Sequence, residues 1–220
     1  MGKVLLIASD KGGVGKTTTA VQLASMLVNK GKSTIILKTD KNNDVISWNE
    51  KRKENGLPIV PVHEAYGNVS REVNRLRNLC EVLIVDCPGH DSEEFRSSLT
   101  VANIFITLVR ASSAFESETL TSVTEKVRFA QKSNPALVPW VLLTRINQSK
   151  PRHRRAAIEL DSILRSDDVW IQPLKTRLSD LDVYESTCNE GAGVHDAASA
   201  TNLNTAKAQL ELVGKEIGIL

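Results

Sequence analysis

The segment Lys3-Val4-Leu5-Leu6-Ile7-Ala8-Ser9, followed at once by Asp10-Lys11-Gly12-Gly13-Val14-Gly15-Lys16-Thr17-Thr18, restricts the fold more than any other feature of the chain. An apolar run, then closely spaced glycines, then a helical pattern is the strand, loop and helix order that a phosphate-binding loop requires. Glycines let successive backbone N–H groups turn towards one anion, and the start of the helix adds the positive end of its dipole. On this reading Gly12, Gly13, Val14, Gly15, Lys16, Thr17 and Thr18 cradle the phosphates of a nucleotide. Lys16 then reaches the β and γ phosphates, and the Thr17 hydroxyl ligates Mg2+. A plain glycine-rich turn is the bland alternative, and GKTT directly behind a strand speaks against it.

Further along, short apolar runs recur at Val4–Ala8, Thr34–Leu37, Ile59–Val62, Val82–Val85, Ile104–Val109 and Leu137–Leu143, with a weaker one at Val169–Ile171. Stretches of helical spacing lie between most of them, at Thr17–Asn29, Val69–Arg77, Glu116–Gln131, Arg152–Leu164 and Asn204–Ile217. This alternation predicts an α/β fold: one P-loop NTPase domain over residues 1–220, with a mostly parallel twisted sheet covered by helices on both faces. Hydrophobic residues at 41% and charged residues at 25% suit a compact soluble domain. Cys80, Cys87 and Cys188 form no CxxC pair, which argues against a disulfide framework or a zinc or iron–sulfur site. No apolar run is long enough to span a bilayer, so a cytoplasmic location is expected. A second GKS at Gly31-Lys32-Ser33 follows a helix rather than a strand and reads as a helix C-cap.

Two further strands end in carboxylates. Glu81-Val82-Leu83-Ile84-Val85-Asp86-Cys87-Pro88-Gly89 has the form of a Walker B strand, in which a buried apolar run delivers Asp86 to the metal. Thr34-Ile35-Ile36-Leu37-Lys38-Thr39-Asp40 delivers Asp40.

KGGVGKTT resembles the deviant Walker A motif of the ParA/MinD family of dimeric ATPases, because Lys11 is an extra cation inside the loop. The resemblance implies ATP and Mg2+ as cofactors and a homodimer formed on ATP binding, with Lys11 crossing to the partner's phosphates. A cation supplied in trans makes nucleotide state and dimerisation interdependent. It further implies that Asp40 orients the attacking water, that Pro88-Gly89 forms a switch loop, and that Thr144, Arg145, Pro173 and Lys175 contact adenine. The sequence departs from the family where Asp10 replaces the first loop glycine, where Lys38 replaces the acid two residues before Asp40, and where Lys41-Asn42 replaces Pro-Gln. The Lys38 change puts the usual magnesium shell in question.

Within that family the cysteines do not match the iron–sulfur carriers, and a motif starting at residue 10 leaves no room for an N-terminal operator-reading domain. The tail from Ala208 to Leu220 carries two glutamates against one lysine, which suits a packed helix better than an anionic bilayer, so no stable membrane association is expected. Arg145, Lys150, Arg152, Arg154 and Arg155 place five cations within eleven residues. They are candidates for non-specific contact with DNA phosphates; a solvated helix face with an Arg155–Glu159 pair is the alternative. The expectation is therefore a short ParA-type partition ATPase, nucleoid-associated, weak in intrinsic turnover and stimulated by a centromere-binding partner. A nucleotide switch that positions a protein cargo, or an ATP-dependent ligase of similar fold, would share most of these motifs.

Overall fold

A computed structural model of the protein describes residues 1–110 and 116–220, with side chains for all of these except residues 116–118. Six strands run parallel in one sheet: β1 (Lys3–Ile7), β2 (Thr34–Lys38), β3 (Val62–Glu64), β4 (Val82–Asp86), β5 (Ile104–Val109) and β6 (Val138–Leu143). Their order across the sheet is β3-β2-β4-β1-β5-β6. Strands β1 and β4 are central, and all five residues of each are paired with the other, from Lys3 opposite Val82 to Ile7 opposite Asp86. This register brings the start of the phosphate loop and the Walker B carboxylate to the same sheet edge.

Residues alternate between the two faces of a strand, so each central strand feeds two cores. Leu5, Ile7, Ile36 and Ile84 pack under α1 (Lys16–Asn29), α2 (Asp44–Glu54), α7 (Asp182–Asn189) and α8 (Leu203–Glu216). Leu6, Leu37, Leu83 and Val85 pack under α3 (Ser70–Leu76), α4 (Glu93–Leu99), α5 (Glu116–Gln131) and α6 (Pro151–Arg165). The chain leaving β1 covers one face and the chain leaving β4 covers the other. A crevice therefore opens beyond the carboxyl ends of these neighbouring strands, the place where open α/β sheets bind ligands.

Two sequence expectations shift. The run at Ile59–Val62 yields a strand only from Val62, because Ile59 is 65% exposed and the strand that pairs with β2 begins at Val62, just after Pro61. The run at Val169–Ile171 forms no strand; Val169 is 63% exposed, and the segment that reaches the β6 edge is the next one. There Val141 donates to Gln172 O and Leu174 donates to Val141 O, at 3.0 and 2.9 Å. Helix α2 was hidden in the sequence because its buried stripe is Val45, Trp48 and Arg52, with a cation at the third position. Helices α4 and α7 are only 7 and 8 residues long and present little apolar periodicity.

Gly31 does act as a helix terminator. Its φ is 78°, Lys32 N donates to Leu27 O and Gly31 N donates to Val28 O, the paired bonds of a Schellman C-cap. Helix α8 buries Leu203, Ala206, Leu210 and Val213 against the core, and Ile217 and Ile219 follow them in. Its apolar face is thus occupied by the protein itself.

One polar cluster ties the α1 face together. The Arg52 guanidinium, fully buried, forks onto the Asp196 carboxylate at 2.6 and 3.1 Å. Asp196 also accepts from Ser25 Oγ, Asn29 Nδ2 and Gly193 N, each at 2.7 Å. Trp48 stacks on the guanidinium at 5.1 Å from its ring centroid. Helices α1 and α2 and the loop after α7 meet at this ion pair.

Candidate nucleotide-binding site

The phosphate loop fills the crevice at the end of β1. Gly13 and Gly15 take φ values of 73° and 95°, a region that side chains strain to enter. A Cβ on Gly12, Gly13 or Gly15 would meet nothing within 4 Å, so the hollow these glycines border is open. Gly15 is also the N-cap of α1 and offers no side-chain cap, which leaves the first-turn N–H groups of the helix for an anion.

Lys16 is buried, and its ammonium is turned onto its own loop, donating to Lys11 O at 2.9 Å and Ser9 Oγ at 3.3 Å. Burial lowers its pKa, while the nearby Asp86 and Asp40 carboxylates act the other way. From the opposite side Gly89, in the loop after β4, closes on the same ammonium. A Cβ there would lie 2.9 Å from Lys16 Nζ and 3.0 Å from Gly12 Cα, so the glycine lets the two loops approach without either giving way.

Asp86 ends β4 fully buried, and burial pushes its carboxyl up to about 7 despite the Thr17 hydroxyl and Lys16. Thr17 Oγ1 donates to Asp86 Oδ2 at 2.9 Å, whereas Oδ1 is buried with no hydrogen-bond partner. An orphaned carboxylate oxygen beside a threonine hydroxyl, below a phosphate cradle, is the oxygen donor set that Mg2+ prefers. The residues fit the ion. Asp40 stands at the end of β2, half-buried, and its charge reaches both Lys16 and Asp86. The ammonium of Lys38, the departure that put the magnesium shell in question, is engaged elsewhere: it pairs with Glu64 at 2.7 Å and with the Tyr66 hydroxyl at 3.2 Å on the β3 side.

Beyond Gly15 a pocket runs between α1 and the chain after β6, lined by Thr18, Thr144, Arg145, Ser179, Asp180 and Asp182 among others. Thr144, buried, donates to Val14 O at 3.2 Å and so steadies the phosphate loop. Arg145 turns into the pocket from a left-handed φ of 53°. Pro173 and Lys175 lie outside it. Pro173 bridges to Val141 at the sheet edge and the Lys175 amide donates to Glu216, so the chain reaches the pocket only at Leu178. The segment from Leu178 to Asp182 carries no motif, and sequence reasoning missed it.

The five candidate DNA cations divide in the same way. Arg145 is half-buried in the pocket, while Lys150, Arg152, Arg154 and Arg155 are exposed at the start of α6. Among the described residues no ion pair joins Arg155 to Glu159, and none of the four exposed cations has an acidic partner.

The profile of the CobQ/CobB/MinD/ParA nucleotide-binding domain matches residues 5–179, a span that includes the phosphate loop, Asp40, Asp86 and the start of the pocket. The chain belongs to this family. Its ParA/MinD members are nucleotide-binding ATPases. The chain is 26% identical over 135 residues to the septum site-determining protein MinD of Synechocystis, a match covering 46% of this chain and about half (51%) of that protein. It is 24% identical over 196 residues to the maintenance of carboxysome distribution protein A of Halothiobacillus neapolitanus, covering 86% of this chain and 85% of that one. Among solved structures, MinD of Pyrococcus horikoshii complexed with Mg-ADP superposes with a TM-score of 0.69 at 18% identity, covering 100% and 98% of the two chains. A plasmid partition protein of Borrelia burgdorferi superposes at 0.60 and 17% identity, covering 98% and 99%. These likenesses agree on the fold and divide over the biological role.

Proposed function

We propose that the protein is a short ParA-type partition ATPase that takes Mg·ATP, dimerises on it, holds DNA without reading sequence, and lets go on hydrolysis. The observation that carries the DNA half is the first turn of α6. Four exposed cations, Lys150, Arg152, Arg154 and Arg155, crowd a helix start with no acidic residue in its first turn. Positive charge at a helix N-terminus is unfavourable by roughly 0.3–1 kcal/mol per group, because the dipole there is positive too. An unpaired cluster that opposes its own helix makes sense as a surface for a polyanion.

In the nucleotide half each group has one task. The amides from Gly12 to Thr18 and the Lys16 ammonium grip the phosphates. Thr17 and Asp86 would hold Mg2+, whose chemistry is to neutralise charge developing between the β and γ phosphates. Asp40 orients the attacking water from the end of β2. Lys11 completes the charge balance on a partner's phosphates. Thr144, Arg145 and the segment from Leu178 to Asp182 enclose the base; adenine is the base in the solved MinD complex. Slow intrinsic hydrolysis follows, because water and cation are assembled only across two subunits, and a centromere-binding partner accelerates it.

Retention of the protein on plain duplex DNA at rising salt, with ATP, with ADP and without nucleotide, tests the reading. ATP-dependent retention that falls steeply with salt supports it. Equal retention in all three states removes the partition role. ATP-dependent dimers that ignore DNA would instead favour the positioning of a protein cargo, the role named for the carboxysome relative.

A further inference from the structure

Asp10, the residue that replaces the first loop glycine, is not idle. Its Oδ2 accepts from Lys126 Nζ at 2.5 Å and from Ser122 Oγ at 2.8 Å, both on α5 and more than a hundred residues away in sequence. The same ammonium lies 3.6 Å from Asp91, in the loop that follows β4 and contains Gly89. Asp91 in turn is forked by Arg96 of α4, at 2.9 and 2.5 Å. Lys126 and Asp10 are mostly buried, with side chains 17% and 13% exposed, so water screens this bridge less than a surface pair.

We infer that Lys126 is a positioning residue for the triphosphate: its ammonium ties the phosphate loop, through Asp10, to the switch loop, through Asp91, and so holds Gly89 at the mouth of the phosphate site. Two features make the tie consequential. First, Gly89 lies so close to Lys16 and Gly12 that an added methyl would press on both, so the switch loop is already docked on the loop that grips phosphate. Second, without the ammonium Asp10 loses its ion pair and Asp91 is left to Arg96 of its own segment, so no cation bridges the phosphate loop to the switch loop. The amide cradle grips the inner phosphates of a diphosphate and a triphosphate alike. The switch loop instead approaches, at Gly89, the Lys16 ammonium, the group that reaches out to the γ-phosphate. The tie therefore contributes to the difference between triphosphate and diphosphate, while contributing little to the diphosphate itself.

The inference rests on nucleotide binding at the phosphate loop and on nothing else in the proposed function. The test is titration of fluorescently labelled ADP and a non-hydrolysable ATP analogue, each with Mg2+, against wild type, Lys126→Met, Lys126→Arg and Asp91→Asn. Lys126→Met is expected to weaken the analogue about tenfold while ADP moves less than twofold, and Lys126→Arg to restore most of the preference. Asp91→Asn, which keeps the size of a side chain 32% exposed and removes only its charge, is expected to cut the preference in the same direction. It gives an answer even if Lys126→Met fails to fold. Parallel weakening of both nucleotides overturns the inference, because it marks a merely structural anchor; unchanged preference in Asp91→Asn overturns it as well. Wild type that binds neither nucleotide would overturn the reading of the site, an outcome distinct from either.

Discussion

Breaking the Arg52–Asp196 pair should unfold the α1 face unequally, depending on which partner is removed. Arg52→Met leaves a carboxylate buried, yet Ser25, Asn29 and Gly193 still donate to it, and it can take up a proton. Asp196→Leu leaves a fully buried guanidinium, with Pro58 O and Gly191 O as its remaining acceptors, and an Arg cannot shed its proton. It also takes the acceptor from Ser25 Oγ and Gly193 N, whereas the exposed Asn29 keeps its bond to Ser25 O. Removing one partner of a buried pair costs about 3–5 kcal/mol, so we expect roughly 3 kcal/mol for Arg52→Met and roughly 5 kcal/mol for Asp196→Leu. Against a typical total of about 5–15 kcal/mol, the first variant stays folded and the second is marginal. Urea unfolding followed by circular dichroism reads the difference; with a slope of about 2–3 kcal/mol/M, Arg52→Met moves the midpoint down by about 1 M. The double variant Arg52→Met/Asp196→Leu should recover at least about 2 kcal/mol relative to the sum of the singles. pH adds a second check. Arg52 and the other donors hold the Asp196 carboxyl below its ordinary value. The stability this confers is present above the unfolded value of about 3.9 and is lost as pH falls through the lower folded one. The gap between wild type and Arg52→Met should therefore be full at neutral pH and close in acid. Additive singles, or a gap that persists unchanged in acid, would refute the assignment of the pair as the hub.

Other outcomes follow from the site. Lys11→Ala should abolish ATP-dependent dimers on light scattering while monomer binding of nucleotide persists. Because burial lifts the Asp86 carboxyl to about 7, Mg·ATP affinity should weaken as pH falls below that value, by up to about tenfold per unit, since the ligand must be deprotonated; Asp86→Asn should flatten the profile in calorimetry. The same raised value means that the nucleotide-free protein is stabilised by this group at low pH and loses that contribution as pH rises through about 7. Replacing Arg152, Arg154 and Arg155 with alanine should reduce the slope of log affinity for DNA against log salt by about 0.9 for each phosphate that the variant no longer neutralises. An unchanged slope would remove α6 from the interface. Thr144→Val, which deletes the bond to Val14 O, should cost about 1 kcal/mol of stability and loosen nucleotide binding; unaltered affinity would show that the loop holds its shape unaided.

What the sequence determined by itself is local. The loop from Asp10 to Thr18, the Asp86 strand, the Gly31 cap and the apolar stripes of α1, α5 and α8 are each written in consecutive or helically spaced residues, because steric and hydrogen-bonding preferences act over a few positions. Tertiary structure decided whatever depends on distant segments meeting. The chain from Leu178 to Asp182 reaches the pocket because Gln172–Leu174 is taken up by the β6 edge, a pairing with no sequence signal. The five cations read as one patch are split, since the left-handed turn at Arg145 aims it inward while α6 carries the rest outward. Arg52 hid a helix by being a buried cation, and only the arrival of Asp196 makes that burial tolerable. Lys126, in no motif at all, gains its place because α5 brings it to the loops that follow β1 and β4: charge acts through space, and the sequence alone does not record which charges the fold brings within a few ångströms.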